Sequence, residues 1–242
     1  MAKDLALSIK NDDVASIKAI INKNKDYLTI LDPNYKMSLL ALSIVNNKKN
    51  AFKALLDCGA DVNKRFGIVN QYNALYLAVN YSNSYKDCDD FYIRELIKKG
   101  AHARPMEYVT SEGQDVIFSP LFLSLSERNS KGDNCNEIPK LLLEHGATLD
   151  DKQSGFAGDE KINVIEKCLI SKNLDFLEYL LIEKKIKAPK VAITYTDMDT
   201  KISRTKTITE VLESTEYTDL IDDGIKVQAK ELIKYLKATG QK

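Results

Sequence analysis

A chain of 242 residues, 44% of them hydrophobic, is long enough to bury one large core or two small ones. Its 35 basic and 35 acidic side chains cancel, which argues against nucleic acid or an anionic membrane as a partner. No apolar run approaches the roughly 20 residues of a membrane-spanning helix, and the first residues lack the apolar stretch of a secretory signal. We therefore expect a cytoplasmic protein.

In chain order, a short motif recurs at residues 38–44, 73–79 and 119–125. Each copy begins with Ser38, Asn73 or Ser119, whose side chain can accept a hydrogen bond from an unpaired N–H at the start of a helix. Pro120 follows at the first helical position, where a missing N–H does no harm. The motif predicts that a helix begins after each of these three polar residues.

A second, leucine-rich helix is predicted downstream of each motif, and each time a Gly-Ala pair follows it. Gly59, Gly100 and Gly146 stand where a helix ends in the left-handed conformation, which glycine adopts at little cost. Leu40 lies 19 positions before its glycine, but the equivalent spacing is 25 positions in the next two copies. The longer spacing predicts insertions of six residues between the paired helices, at residues 81–90 and 127–136.

Together, the two motifs resemble the ankyrin repeat, whose first helix opens with T-P-L-H-x-A and whose second helix leads into a Gly-Ala-Asp turn. The family's histidine is replaced by Ala41, Tyr76, Phe122 and Glu166. The resemblance implies an all-α (mainly) solenoid of stacked helix pairs in a single domain, with three clear and three degenerate repeats and β-hairpin fingers between some of them. The approximate repeats are 1–36, 37–71, 72–117, 118–161, 162–205 and 206–242. A TPR-like array is the alternative, but the Gly-Ala turns and the non-helical stretches between helix pairs argue against it.

The stretches between predicted repeats contain two candidate hairpins. Residues 106–110 and 115–118 flank a plausible turn, and so do residues 191–196 and 202–206. The second pair alternates apolar and polar side chains over residues that favour strands, as a half-exposed hairpin does.

The aromatic side chains of these stretches have two interpretations. Tyr108, Phe118 and Tyr195 could hold the hairpins together through cross-strand pairs. Aromatic side chains also supply much of the binding energy at protein interfaces. On the second interpretation the partner-binding residues are Phe66, Tyr72, Tyr81, Tyr108, Phe118, Phe156 and Tyr195.

The four cysteines form no C-x-x-C pair and no metal-ligand cluster. Cys88 and Cys135 occupy similar places in two successive predicted repeats, and the sequence leaves open whether they approach each other. In a reducing cytosol we expect free thiols.

Several acidic residues in the predicted insertions could suggest a cation site: Asp87, Asp89, Asp90 and Asp133. The EF-hand spacing and its bidentate glutamate are missing. We expect solvated loops whose carboxylates cap helices.

Catalytic motifs are missing from the sequence. His102 and His145 both border glycine turns, and there is no P-loop, G-x-G-x-x-G or H-E-x-x-H motif. We expect no enzyme, no catalytic residues, no cofactor and no metal. The competing hypothesis, which is enzymatic instead of a binding role, places an active site in the loops of Cys88 and Cys135.

The resemblance implies a monomeric scaffold or adaptor that binds a partner protein through its concave face and finger edge. A stoichiometric inhibitor or immunity protein of an enzyme or toxin, or an effector translocated into a host cell, is the alternative.

Overall fold

The structure is a computed structural model that describes residues 2–32, 34, 36–67, 72–85, 88–110, 112–113, 115–125, 134–151, 153–154, 161–196 and 203–241. This part of the chain is mainly α-helical, as predicted. Its helices are α1 Ala2–Lys10, α2 Val14–Lys23, α3 Leu39–Val45, α4 Lys49–Asp57, α5 Ala74–Tyr85, α6 Phe91–Lys98, α7 Pro120–Ser124, α8 Glu137–Glu144, α9 Val164–Ile170, α10 Leu174–Glu178, α11 Ile208–Glu213, α12 Thr215–Thr218 and α13 Asp223–Ala238. A 3₁₀ helix, Lys25–Thr29, follows α2, and a π-helical turn, Tyr179–Glu183, continues α10.

Short antiparallel hairpins lie between helices. The strands are β1 Met106–Val109, β2 Asp115–Phe118, β3 Gln153–Ser154, β4 Lys161–Ile162, β5 Ile193–Thr196 and β6 Ser203–Lys206. Each odd-numbered strand pairs with the next one, and Tyr108 stands opposite Val116. The two predicted hairpins are confirmed.

Contacts divide the chain into an N-terminal unit, residues 1–162, and a C-terminal unit, residues 163–242. In the N-terminal unit the first helices of successive pairs pack in chain order, α1 on α3, α3 on α5 and α5 on α7. In the C-terminal unit α9 packs on α10, and α13 packs on both α10 and α11. The predicted repeat bounds stay a prediction.

The first helices begin where the sequence predicted. The backbone N–H groups of Ala41 and Phe122 donate to the side chains of Ser38 and Ser119, at 3.2 and 3.4 Å. Asn73 Oδ1 accepts from the N–H three residues on, at 2.8 Å. These caps satisfy N–H groups that have no partner within the helix.

The second helices α4, α6 and α8 end at glycines with positive φ. Gly59, Gly100 and Gly146 have φ of +91, +86 and +105°. The N–H of each following alanine returns 3.0 Å to a carbonyl five residues back, closing the helix in a Schellman-type turn. A Cβ on any of these glycines would meet no atom within 4 Å, so the left-handed conformation, not crowding, requires glycine there.

The tight turns between paired helices share another geometry. Asp12, Asn47 and Lys172 are left-handed, with φ of +57, +53 and +57°. In each turn the next N–H donates to a carbonyl five residues earlier: Asp13 to Ser8 at 2.9 Å, Lys48 to Ser43 at 2.8 Å and Asn173 to Cys168 at 2.9 Å. The same backbone solution therefore joins α1 to α2, α3 to α4 and α9 to α10.

Side chains of the first two of these turns reach the second helix of the next pair, a contact that we call a junction contact. Asp12 accepts from the backbone N–H of Ala51 at 2.6 Å and from the amide of Asn50 at 2.8 Å, both in α4. Asn47 Oδ1 accepts from the hydroxyl of Tyr92, in α6, at 3.2 Å. Each junction contact ties one helix pair to its successor.

Cys88 and Cys135 are joined by a disulfide, with their sulfur atoms 2.05 Å apart, so the expectation of free thiols is wrong for this pair. Cys88 lies in the turn after α5 and is left-handed, with φ of +68°. Cys135 lies two residues before α8. The expectation rested on a reducing cytosol, and it failed because the fold brings the turn of Cys88 next to the segment of Cys135. Cys58 and Cys168 are free.

Helix α5 extends further than predicted. It continues to Tyr85, so the start of the predicted insertion at 81–90 is helical. Tyr81 is 8% exposed and Ser82 is fully buried, and burial outweighs the weak helix preference of this polar stretch. Most of the other insertion, residues 126–133, lies outside the described residues.

The acidic residues of the first insertion have ordinary structural partners. Asp89 accepts from the N–H of Phe91 at 3.1 Å and from Lys49 Nζ at 2.7 Å. Asp90 accepts from Arg94 Nε at 2.7 Å. Asp89 thus accepts from the first N–H of α6, although the cap residue Asp90 makes no capping hydrogen bond with its side chain. Asp87 and Asp133 lie outside the described residues.

Candidate functional site

Two neighbouring segments position the candidate site in the N-terminal unit. The first precedes α5, where Phe66 and Tyr72 exchange backbone hydrogen bonds of 2.9 and 3.2 Å. The second is the β1–β2 hairpin, which immediately precedes α7. Arg65 links the two, since its guanidinium donates to the carbonyl oxygen of Glu107 in β1 at 2.7 Å.

Five rings from these segments and from α5 form one aromatic cluster: Phe66, Tyr72, Tyr76, Tyr108 and Phe118. Phe118 is at its centre, with ring centroids 5.7 Å from Tyr72, 5.3 Å from Tyr76 and 5.5 Å from Tyr108. Tyr72 also stacks on Tyr76 at 5.5 Å and lies 6.2 Å from Phe66. These separations are those of favourable aromatic pairs, so the rings hold one another in place.

Exposure differs across the aromatic cluster. Phe66 is 2% exposed and forms its base, while Tyr72, Tyr76, Tyr108 and Phe118 are half-buried. On the opposite face of β1, the side chain of Val109 is 57% exposed. The cluster therefore combines a fixed interior with apolar surface that a partner can cover.

A groove of about 220 Å³ lies on the face of the hairpin opposite to the rings of Tyr108 and Phe118. Its walls are Glu107, Tyr108, Val109, Asp115 and Ile117. The two acidic residues are exposed, while Ile117 is buried. The groove offers an apolar floor with carboxylates at its rim.

The place of Tyr76 in the cluster changes the pKa of its hydroxyl. Burial raises the pKa of Tyr76 to about 12, and the hydroxyls of Tyr72 and Tyr108 add to the rise. Because the pKa in the folded state lies above the unfolded value of 10.0, neutral Tyr76 stabilises the fold below about pH 10. This stabilisation is lost as the pH rises from about 10 to about 12.

We expect Tyr76→Phe to lose less stability than the native chain over this alkaline range, because phenylalanine has no proton to release. Urea unfolding at several pH values measures the difference between the two slopes. Equal slopes of stability against pH would show that the pKa of Tyr76 is not raised in the folded state.

The structure brings four of the predicted partner-binding residues together, namely Phe66, Tyr72, Tyr108 and Phe118. Tyr81 lies elsewhere, buried, with its ring 5.8 Å from that of Tyr92. The remaining two predicted residues are not placed with the cluster. Phe156 lies outside the described residues, and Tyr195 belongs to β5 of the C-terminal unit, where its side chain is outside the described part.

Sequence reasoning missed Tyr76 as a member of this site. In the sequence, Tyr76 is notable only as a residue that replaces histidine in the resemblance to the ankyrin pattern. That replacement by a larger aromatic residue, close to a predicted finger, was the signal that could have identified it.

In the described part of the chain, the side chains that could bind a metal or act as a nucleophile are not grouped together. Among the described residues, no three His, Cys, Asp or Glu side chains are grouped so that they could hold a metal ion. Burial strongly raises the pKa of the Cys168 thiol, which suppresses its thiolate form. His145 Nδ1 lies 2.9 Å from the carbonyl oxygen of Leu141, and the backbone N–H of His102 donates to Asn63 at 2.9 Å.

No family model matches this chain, and no curated protein matches it either. Of the helices in the described ranges, none has both the length and the apolar character that crossing a membrane requires.

Proposed function

We propose that this chain is an ankyrin-repeat protein, a solenoid of helix pairs that binds a partner protein and performs no catalysis itself. The capped starts of α3, α5 and α7 support this proposal. So do the left-handed glycines that end α4, α6 and α8 and the packing of the first helices in chain order. The β1–β2 hairpin corresponds to an enlarged finger, and the aromatic cluster lies at its base.

The observation that carries the binding proposal is the aromatic cluster itself. Its rings are fixed by one another and by backbone hydrogen bonds, yet four of them remain partly open to solvent. A surface that is already ordered loses little conformational entropy when a partner covers it. Aromatic side chains in such positions commonly dominate interface energies. We propose a scaffold or adaptor that uses both faces of the β1–β2 hairpin, with the cluster on one face and the groove on the other.

We expect Tyr108→Ala to weaken binding of the partner by about 2 kcal/mol, roughly 30-fold, which is the size of a typical interface anchor. Val109→Ser should weaken binding as well if the partner also covers the groove, because the Val109 side chain is exposed on the groove face of the same strand. The measurement is quantitative capture from the native lysate, followed by mass spectrometry and by titration of the captured protein.

Val227→Ser supplies the matched control. Val227 is 62% exposed on α13, close to the 57% of Val109, but belongs to the C-terminal unit. A captured protein counts as the partner only if Tyr108→Ala and Val109→Ser lose it while Val227→Ser retains it. Equal retention by all three variants would reject the aromatic cluster as the binding surface.

A further inference from the structure

The Cys88–Cys135 disulfide occupies a position at which other helix pairs use reversible hydrogen bonds. Asp12 and Asn47, left-handed residues of the first two inter-helix turns, make junction contacts to α4 and α6. Cys88, left-handed in the next turn, is bonded to Cys135 just ahead of α8. The sulfur bond is thus the junction contact between the α5–α6 pair and the α7–α8 pair.

A groove of about 310 Å³ lies beside this bond. Cys88 and Cys135 both line it, and Cys88 is half-buried whereas Cys135 is 9% exposed. Cys88 therefore offers more of its surface to an attacking thiolate than Cys135 does. Access to one sulfur is what thiol–disulfide exchange requires.

Attack at Cys88 makes Cys135 the leaving group. The carbonyl oxygen of Cys135 accepts from the N–H of Ile138 at 3.0 Å, so its side chain lies at the amino end of α8. That end of a helix stabilises a thiolate. Arg94 lines the same groove, as do the carboxylates of Asp89, Asp90 and Glu137, so the helix end and Arg94 favour the thiolate while the three acidic side chains oppose it.

The fold itself does not depend on a covalent link. The N-terminal unit spans 162 residues and buries side chains of the helices α1 to α8, a size at which apolar cores suffice without disulfides. Breaking the bond should consequently loosen one junction and leave the rest folded.

We propose that Cys88 and Cys135 form a reversible redox lock on the junction between the α5–α6 and α7–α8 helix pairs. Glutathione thiolate attacks the sulfur of Cys88, the S–S bond breaks, and Cys135 leaves as a thiolate and takes up a proton. A second glutathione then attacks the glutathione sulfur of the mixed disulfide and releases Cys88. Two glutathione thiols become one glutathione disulfide, and the two cysteines gain the two electrons.

The lock encloses the β1–β2 hairpin. The chain between the two cysteines contains α6, β1, β2 and α7, and with them Tyr108 and Phe118. Opening the bond removes a restraint on this whole segment, whereas α1 and α2 lie outside it.

The test equilibrates the native chain in glutathione buffers that range from mostly oxidised to mostly reduced, starting from both the oxidised and the reduced protein. Trapping of thiols and mass spectrometry measure the bond, and hydrogen exchange is followed in the same samples. We expect the bond to open and close within the series. Opening should raise amide exchange in residues 115–125 and 137–144 by about tenfold or more beyond any rise in α1 and α2.

Two variants serve as controls. The double variant Cys88→Ser, Cys135→Ser should show the fast exchange in every buffer, and Cys58→Ser should respond like the native chain because Cys58 is outside the bond. A bond that survives the most reducing buffer, or one that opens without changing exchange, would overturn the proposal. A response that disappears in Cys58→Ser would overturn it as well.

Discussion

Replacing Tyr92 by alanine is expected to lower the free energy of unfolding of the N-terminal unit by about 3–5 kcal/mol. Tyr92 is 1% exposed and packs edge-on against Phe52 of α4, with ring centroids 4.9 Å apart. It also contacts Phe91 at 5.1 Å and Tyr81 at 5.8 Å. Truncation leaves a cavity where α4, α5 and α6 meet, and the surrounding rings are too constrained to fill it.

Tyr92→Phe is the matched control, because it keeps the ring and removes only the hydroxyl that donates to Asn47. We expect a cost of about 1 kcal/mol, the usual net value of one hydrogen bond. Urea unfolding of both variants separates packing from hydrogen bonding. If alanine cost no more than phenylalanine, the ring would not be part of the core.

The second large effect concerns the disulfide. Removing it with Cys88→Ser and Cys135→Ser together should lower the free energy of unfolding by about 4 kcal/mol, which is the loop-closure value for cysteines 47 positions apart. The physical reason lies in the unfolded chain, which gains conformations once the loop is open. Chemical denaturation under oxidising conditions measures the loss.

The native chain in reductant is the companion sample and should be destabilised to the same extent, since it lacks the same bond. Cys58→Ser should leave stability nearly unchanged, because it does not alter the length of any closed loop. A double variant as stable as the oxidised native chain would show that the loop is already restricted in the unfolded state.

Local chemistry explains why much of the fold could be predicted from the sequence. Ser38 and Ser119 cap helices because their hydroxyls can reach an orphan N–H, and that depends on a few neighbouring residues only. Gly59 ends α4 for an equally local reason. The β1–β2 hairpin was predictable because strand-favouring residues flank a turn over a short distance.

The features that escaped prediction depend on distant parts of the chain. Tyr76 joins Tyr108 and Phe118 only after α5 and the hairpin have been placed side by side. The helical continuation through Ser82 depends on burial supplied by other elements. Cys88 meets Cys135 across 47 positions of sequence, and an argument from the cellular compartment carried no information about that geometry.

The junction contacts differ chemically from one helix pair to the next. A carboxylate of Asp12 meets a backbone N–H, an amide of Asn47 meets the phenol of Tyr92, and Cys88 meets another sulfur. Asn47 and Cys88 each have a specific partner side chain, so deletion or duplication of one of their pairs would leave the Asn47 amide without its phenol or a cysteine without its disulfide partner. Recombination between helix pairs is thereby penalised, and the order of the pairs along the chain is fixed by side-chain chemistry as well as by connectivity.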